Sequence, residues 1–408
     1  MKSQTTMTQR PMRWLAALAA ATALVACGGG GGGGGDTGAA PGTLRVAITD
    51  APSCGYDSIF VTVEKVRVHQ SPNAGDAESG WSDLTLSPPR RMDLLSLTNG
   101  VLEELGSMPL AAGHYSQVRL VLAENSSTAA FANAAQVTGG ALVDLKTPSA
   151  QQSGLKLQAH FNIASGQLAD MVLDFDACKS VVKAGNSGQY ILKPVVTVVP
   201  RLTTAIQGYV STSLTAGATT VSAQQNGVIV RSTAPDTSGK FSIPYLDPGS
   251  YTLVVTSDGR STAVVTSIPV ATLTGVTTVN GTATAIAPPV SAMAAVTGAV
   301  AATTASGSGT TTVPVTDASV RALQGLAGGP AIQVAAQGVD SVLGTYSLRL
   351  PVGAPVKAAY ATSAALAFTA DTAAAGKYTL ETQAPGRATL SKPADISSGS
   401  AATVNFSY

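Results

Sequence analysis

The sequence predicts an all-β chain, several β-sandwich domains in tandem, and three observations carry that expectation. Only 12% of the 408 residues are charged and 45% are hydrophobic, with Gly, Ala, Ser, Thr and Val prominent. β-Branched residues suit strands, and Gly, Ser and Thr suit turns. Apolar residues recur with period two rather than 3.6. Turn residues punctuate these runs at short spacing. The same arithmetic excludes other classes. With 24 basic and 23 acidic residues the net charge is +1, which fits neither a nucleic-acid binder nor an acidic disordered chain. Three Cys and three His build no zinc motif, so no metal or cofactor is expected.

The N-terminus reads as an export signal. Lys2, Arg10 and Arg13 flank and precede an apolar run from Trp14 to Ala26. That run is too short for a bilayer, which needs about 20 apolar residues, so residues 1–26 read as a signal peptide. The run ends Leu24-Val25-Ala26-Cys27. This resembles the bacterial lipobox, whose Cys thiol receives diacylglycerol before cleavage. Cys27 is therefore the expected lipidation site, and the membrane a partner through that lipid. Gly28 to Gly35 follow; unhindered glycine backbone makes 27–42 a flexible tether. Gly rather than Asp at position 28 favours the outer membrane of a Gram-negative cell envelope. No later segment approaches 18 uninterrupted apolar residues.

Charge divides the remainder. Residues 43–201 hold 26 charged side chains, all three His and Trp81; residues 204–290 hold six and 291–408 hold eleven. The Pro200–Thr204 and Pro288-Pro289 breaks suggest three sandwiches, at 43–201, 204–288 and 291–408. In the first, Leu44, Val46 and Ile48 alternate, as do Val118, Leu120 and Leu122, then Leu155 through Ile163, then Met171, Leu173 and Phe175. Ile59, Val61 and Val63 are odd while Val66 and Val68 are even. A strand changes parity only through an extra residue, so a bulge is expected near Glu64-Lys65. Residues 92–105 read as a short helix or as two short strands around Asn99-Gly100. The second and third domains carry a weak repeat: Gly208-Tyr-Val210 against Gly298-Ala-Val300, and Gly239-Lys-Phe-Ser-Ile243 against Gly344-Thr-Tyr-Ser-Leu348. The third is Ala-rich, which predicts a thin core and the lowest stability.

Two resemblances follow. Val46-Ala-Ile-Thr-Asp-Ala-Pro52, Tyr56-Asp-Ser-Ile-Phe-Val-Thr-Val63, Asp93-Leu-Leu-Ser-Leu-Thr-Asn-Gly100, Gly113-His-Tyr-Ser-Gln-Val-Arg-Leu120 and Leu173-Asp-Phe-Asp-Ala177 lie in order along Leu44–Pro200. They resemble a bacterial lipoprotein family of unknown function, family 4382, which implies an envelope location and carries no catalytic or binding residues. Gly208-Tyr-Val210, Asp236-Thr-Ser-Gly-Lys-Phe241 and Leu246-Asp-Pro-Gly-Ser-Tyr-Thr-Leu253 resemble a carboxypeptidase regulatory-like module, of prealbumin-like or carbohydrate-binding-like sandwich type; 291–408 is a divergent copy. Such modules serve as spacers or recognition domains.

Few residues offer chemistry. With Cys27 lipidated, Cys54 and Cys178 remain, and an even pair in an exported protein suggests a disulfide. Asp174 and Asp176 are two apart on a predicted strand and point away from Leu173 and Phe175. With Asp50 or Asp57 they could hold calcium, although solvated or salt-bridged carboxylates are the simpler reading. His69, His114 and His160 stand without a Gly-x-Ser-x-Gly nucleophile sequence; they read as surface or turn histidines, with His160 on the solvent side. Trp81, after a turn-like Gly75–Gly80 loop, is the one candidate for stacking on a sugar ring, or a core residue at a strand start. The expectation is a non-catalytic, lipid-anchored envelope protein with a structural, adhesive or partner-binding role, not an enzyme. The competing reading is a carbohydrate-binding protein capturing glycans or peptidoglycan. Any specific partner is expected on 43–201, with 204–408 acting as spacer.

Overall fold

In the computed structural model the period-two runs become strands in facing sheets. Residues 40–408 are described, apart from 52–54, 149–152, 215–218, 307–308 and 363–364. The signal segment 1–26, Cys27 and the tether as far as residue 39 lie outside these residues, as does Cys54. Among the described residues no helix is long and apolar enough to cross a membrane.

The first domain faces a four-stranded sheet against an eight-stranded one. In the smaller sheet Gly42–Asp50 runs parallel to Leu168–Phe175 and antiparallel to Glu103–Leu110, and Val196–Pro200 closes the far edge. In the larger, the long strand Tyr56–His69 pairs with Ser82–Asp93, Gly113–Leu122 and Ala134–Val137. Its register shifts between Val63 and Lys65 against two neighbours, which is the bulge that the parity change requires. Leu155–Ile163 alternates buried and exposed without exception. Residues 92–105 resolve into the end of one strand, a 3-10 turn at Leu94–Leu97 capped by Asp93, and the start of the next.

The second and third domains show why their repeat has those landmarks. Gly208 pairs across the sheet with Phe241, and Gly298 with Tyr346. A Cβ on Gly208 would meet the Phe241 ring at 2.7 Å, and one on Gly298 the Tyr346 hydroxyl at 2.9 Å. Each glycine makes room for its aromatic partner and for a closer polar neighbour, Asn280 Oδ1 at Gly208 and the Val404 carbonyl at Gly298. A second device joins the first two domains. Tyr115 Oη donates to the Ala111 carbonyl at 3.1 Å and Tyr251 Oη to that of Asp247 at 2.8 Å, and Leu110, Gly113 and Tyr115 match Leu246, Gly249 and Tyr251 in spacing. The third core is the Ala-rich one, with Ala294, Ala302, Ala318, Ala322 and Ala394 inside it.

One segment of 291–408 packs against the second domain. In the second domain only residues 245–248 connect Lys240–Pro244 to Gly249–Ser257. In the third, residues 352–376 fill the equivalent connection between Thr345–Pro351 and Lys377–Gln383. This excursion crosses to the second domain. Val356–Ala359 pairs in parallel with Ala263–Val270, and Thr369–Ala370 pairs with Val356–Ala359. Val356, Tyr360, Leu366 and Phe368 pack against the second core. The added strand covers an edge that would otherwise expose unpaired N–H and C=O groups.

Further contacts join the domains within one compact unit, Ala39–Tyr408. Val254 and Val264 on the outer face of the second domain meet Leu326 and Ile332 of the third. Gln224 donates to the Gln333 carbonyl and accepts from its N–H, both at 2.8 Å. Asn99, at φ 63°, reaches from the first domain into the second: its N–H donates to Thr233 Oγ1 at 2.7 Å and its Oδ1 accepts from the Ser242 N–H at 2.5 Å. The first and third domains meet where the Gly185 N–H donates to Asp340 Oδ2 at 2.9 Å and Lys193 Nζ to the Thr316 carbonyl at 2.5 Å.

Candidate functional site at the three-domain junction

The parallel pairing of Gly42–Asp50 with Leu168–Phe175 places Thr49 beside Asp174 and Asp50 beside Phe175. Three of the four candidate carboxylates therefore gather at one end of the first domain. Asp174 points away from Leu173 and Phe175 as alternation requires, but that face is covered by the second domain. Its carboxylate takes Arg231, a residue whose side chain is 7% exposed. Asp176 is not on the strand. It caps the short helix Ala177–Ser180, accepting from the Lys179 N–H at 3.0 Å and from Lys179 Nζ at 2.6 Å. Asp57 is elsewhere, accepting from the Gly139 N–H at 2.9 Å.

Among the described residues Asp50 has no cation paired with it. Its Oδ1 accepts from the Ala177 N–H at 3.1 Å, while Oδ2 is buried without a hydrogen-bond partner among the described residues. Burial pushes its carboxyl well above the ordinary carboxylate range; the Ala177 N–H opposes the shift and the nearby Asp176 and Asp174 charges add to it. Asp174 is also pushed up by burial, with Arg231 opposing. Arg231 and Lys179 pair with Asp174 and Asp176. Among the described residues no group of three or more His, Cys, Asp or Glu side chains could hold a metal ion. The carboxylates converge, but Arg231 and Lys179 occupy them.

Cys178 lies on the helix that Asp176 caps. Its pairing with Cys54 falls outside the described residues, as does Cys27.

Trp81 is bound into its own domain. Its indole N–H donates to the Gly75 carbonyl at 2.8 Å. The guanidinium carbons of Arg119 and Arg67 lie 4.4 and 4.7 Å from the ring centroid, and the His69 ring is 5.0 Å away. Arg119 is wholly buried and donates to the carbonyls of Ala74 and Ser153 at 2.6 and 2.9 Å and to Asp76. Its hydrogen bond holds the Asp76 carboxyl below the usual range. The 70–80 loop thus folds over Trp81, whose ring carries internal cation–π contacts.

His69 lies apart from His114 and His160. His69 is buried, with Nδ1 accepting from the Ser71 N–H at 2.9 Å. His114 and His160 are exposed and stack at 5.9 Å, and His114 Nδ1 bonds Asn162 Oδ1 at 2.9 Å.

Beside the carboxylate cluster the three domains enclose a cleft of about 240 Å³. The first contributes Asp176 and Lys179, the second Thr220, Ser232 and Thr256, and the third Gln333, Ser347 and Arg349. The sequence did not point to it, because its walls are distant in the chain and consist of common residue types.

Comparison with known proteins adds a family to the first domain. Residues 41–194 match the family described as "Domain of unknown function (DUF4382)". No curated protein matches the chain. Among solved structures, the pilus adhesin SpaC from Lactobacillus rhamnosus GG is similar at 10% identity and a TM-score of 0.15 over 88% of this chain. The match spans 38% of the adhesin's length, and at that TM-score it carries nothing about role.

Proposed function

We propose that the chain is a lipid-anchored cell-envelope protein with a non-catalytic structural, adhesive or partner-binding role. The lipobox-like Leu24–Cys27 run and the glycines after it support the anchor. One observation carries the reading: where the body begins. The Ser165 Oγ donates to the Ala40 carbonyl at 2.7 Å and the Gly166 N–H to that of Pro41 at 3.4 Å. The first residues of the body are thus fixed at one end of the Gly42–Asp50 strand. That nine-residue strand spans roughly 30 Å, and its far end carries the junction with the other domains. An anchor on Cys27 would therefore hold the first domain by the end remote from the junction. Residues 204–288 and 291–408, with their carboxypeptidase regulatory-like resemblance, serve in this reading as a braced extension rather than loose spacers.

The test is metabolic palmitate labelling with membrane fractionation of the full chain and of Cys27→Ser. The wild type should be labelled and sediment with outer membranes; the variant should lose the label. Equal labelling of both would reject the anchor. Glycan or peptidoglycan capture is the second reading. Trp81 supports it poorly, because its ring is engaged internally; the hydroxyl-lined cleft supports it better.

A further inference from the structure

We propose that the three-domain cleft binds one ring of a neutral polyhydroxylated molecule, such as a hexose or an N-acetylhexosamine unit. This rests on the glycan-capture reading and moves it from Trp81 to a site that no single domain contains.

The wall from the second domain is a hydroxyl patch set by strand alternation. Val221 and Val255 point into the core, so Thr220 and Thr256 point outward; these two are paired across the strands, as are Ser222 and Ser232. The hydroxyls of Thr220, Ser232, Thr256 and Ser347 line the cleft, and among the described residues they have no hydrogen-bond partner within the protein. Each offers a donor and an acceptor, which matches the vicinal hydroxyls of a sugar.

The charges at the site argue for a neutral ligand. Lys179 is paired with Asp176 at 2.6 Å and Arg349 with Asp258 at 3.1 Å. A charged ligand would have to compete for a partner already taken. Ile229, Val334 and Leu348 also line the cleft and offer apolar contact to the C–H face of a ring. The volume of about 240 Å³ falls below the roughly 300–1,000 Å³ of pockets that take drug-sized ligands, so it suits a single ring. No aromatic side chain lines it. Binding therefore rests on hydrogen bonds, and a twelve-heavy-atom ligand held this way should bind with Kd on the order of 1 mM.

The experiment titrates the full chain with glucose, galactose, N-acetylglucosamine, glucuronate and glucosamine, followed by saturation-transfer NMR. Retention on insoluble peptidoglycan is measured in parallel. At least one neutral sugar should bind and the charged ones should bind more weakly. Thr256→Val, and independently the exposed Ser347→Ala, should each weaken binding roughly tenfold without changing the thermal melt. Trp81→Ala should bind as the wild type does. Retention on peptidoglycan that both cleft variants preserve and that no monosaccharide competes would overturn the cleft assignment while leaving glycan capture standing. Absence of both retention and titration would overturn both. Use of two variants on different domains keeps the outcome readable if one misfolds.

Discussion

The guanidinium of Arg231, in the second domain, closes on the carboxylate of Asp174 in the first, and both side chains are almost fully buried. A buried pair of this kind adds little net stability over an apolar contact, but removing one partner leaves a buried charge unpaired. Arg231→Ala should therefore destabilise the chain by about 3–5 kcal/mol, read from urea denaturation. Asp174→Ala should cost a similar amount, and the double variant less than the sum of the two. Strict additivity would show that the pair does not hold the interface.

Asp50 should give stability a particular pH dependence. Its folded-state carboxyl is raised above the unfolded value. The native state therefore keeps a proton that the unfolded chain releases above about pH 3.9. Stability from this group is complete at low pH and falls as pH rises through the raised value. Asp50→Asn keeps an oxygen for the Ala177 N–H and cannot ionise. Urea midpoints from pH 4 to 8 should fall less steeply for the variant than for the wild type. Identical slopes would remove Asp50 as the source.

The strand lent by the third domain should protect the second. Deleting residues 354–371, or changing Tyr360 and Phe368 to Ser, uncovers the edge of Ala263–Val270. Hydrogen exchange of that strand's amides should accelerate while that of Thr219–Gln225, interior to the same sheet, changes less. Unchanged protection of Ala263–Val270 would mean that the edge needs no cover.

Cys54 and Cys178 are expected to be bonded. Denatured, unreduced protein from an oxidising compartment should titrate no free thiol among these two, and reduction should lower the melting temperature. The chain-entropy estimate for a loop beyond 100 residues is about 4–5 kcal/mol, an upper guide. Two titratable thiols would exclude the bond.

Short-range features were legible because one buried face forces a strand's register. The Leu155–Ile163 alternation, the parity break before Val66 and the solvent-facing His160 all follow from that constraint. The junction was not legible. Asn99 read as a turn residue, and nothing local to it says that its amide completes hydrogen bonds to Thr233 and Ser242. Arg231 and Asp174 are 57 positions apart, and only domain packing brings them together. The excursion left a trace that could have been found. Gly376-Lys-Tyr-Thr-Leu380 repeats the Gly249-Ser-Tyr-Thr-Leu253 pattern, displaced by the inserted hairpin. Trp81 attracted a ligand role by its rarity, but its ring belongs to the Arg67, Arg119 and His69 cluster.

Arg231, Asn99, Gln224 and the lent strand join the three sandwiches, which are therefore expected to unfold as one cooperative unit. Calorimetry of the mature chain tests it most directly. A single cooperative transition is expected, with calorimetric and van't Hoff enthalpies that agree, and Arg231→Ala should split or broaden it. Two or three separate transitions in the wild type, one of them matching residues 40–201 made alone, would contradict it.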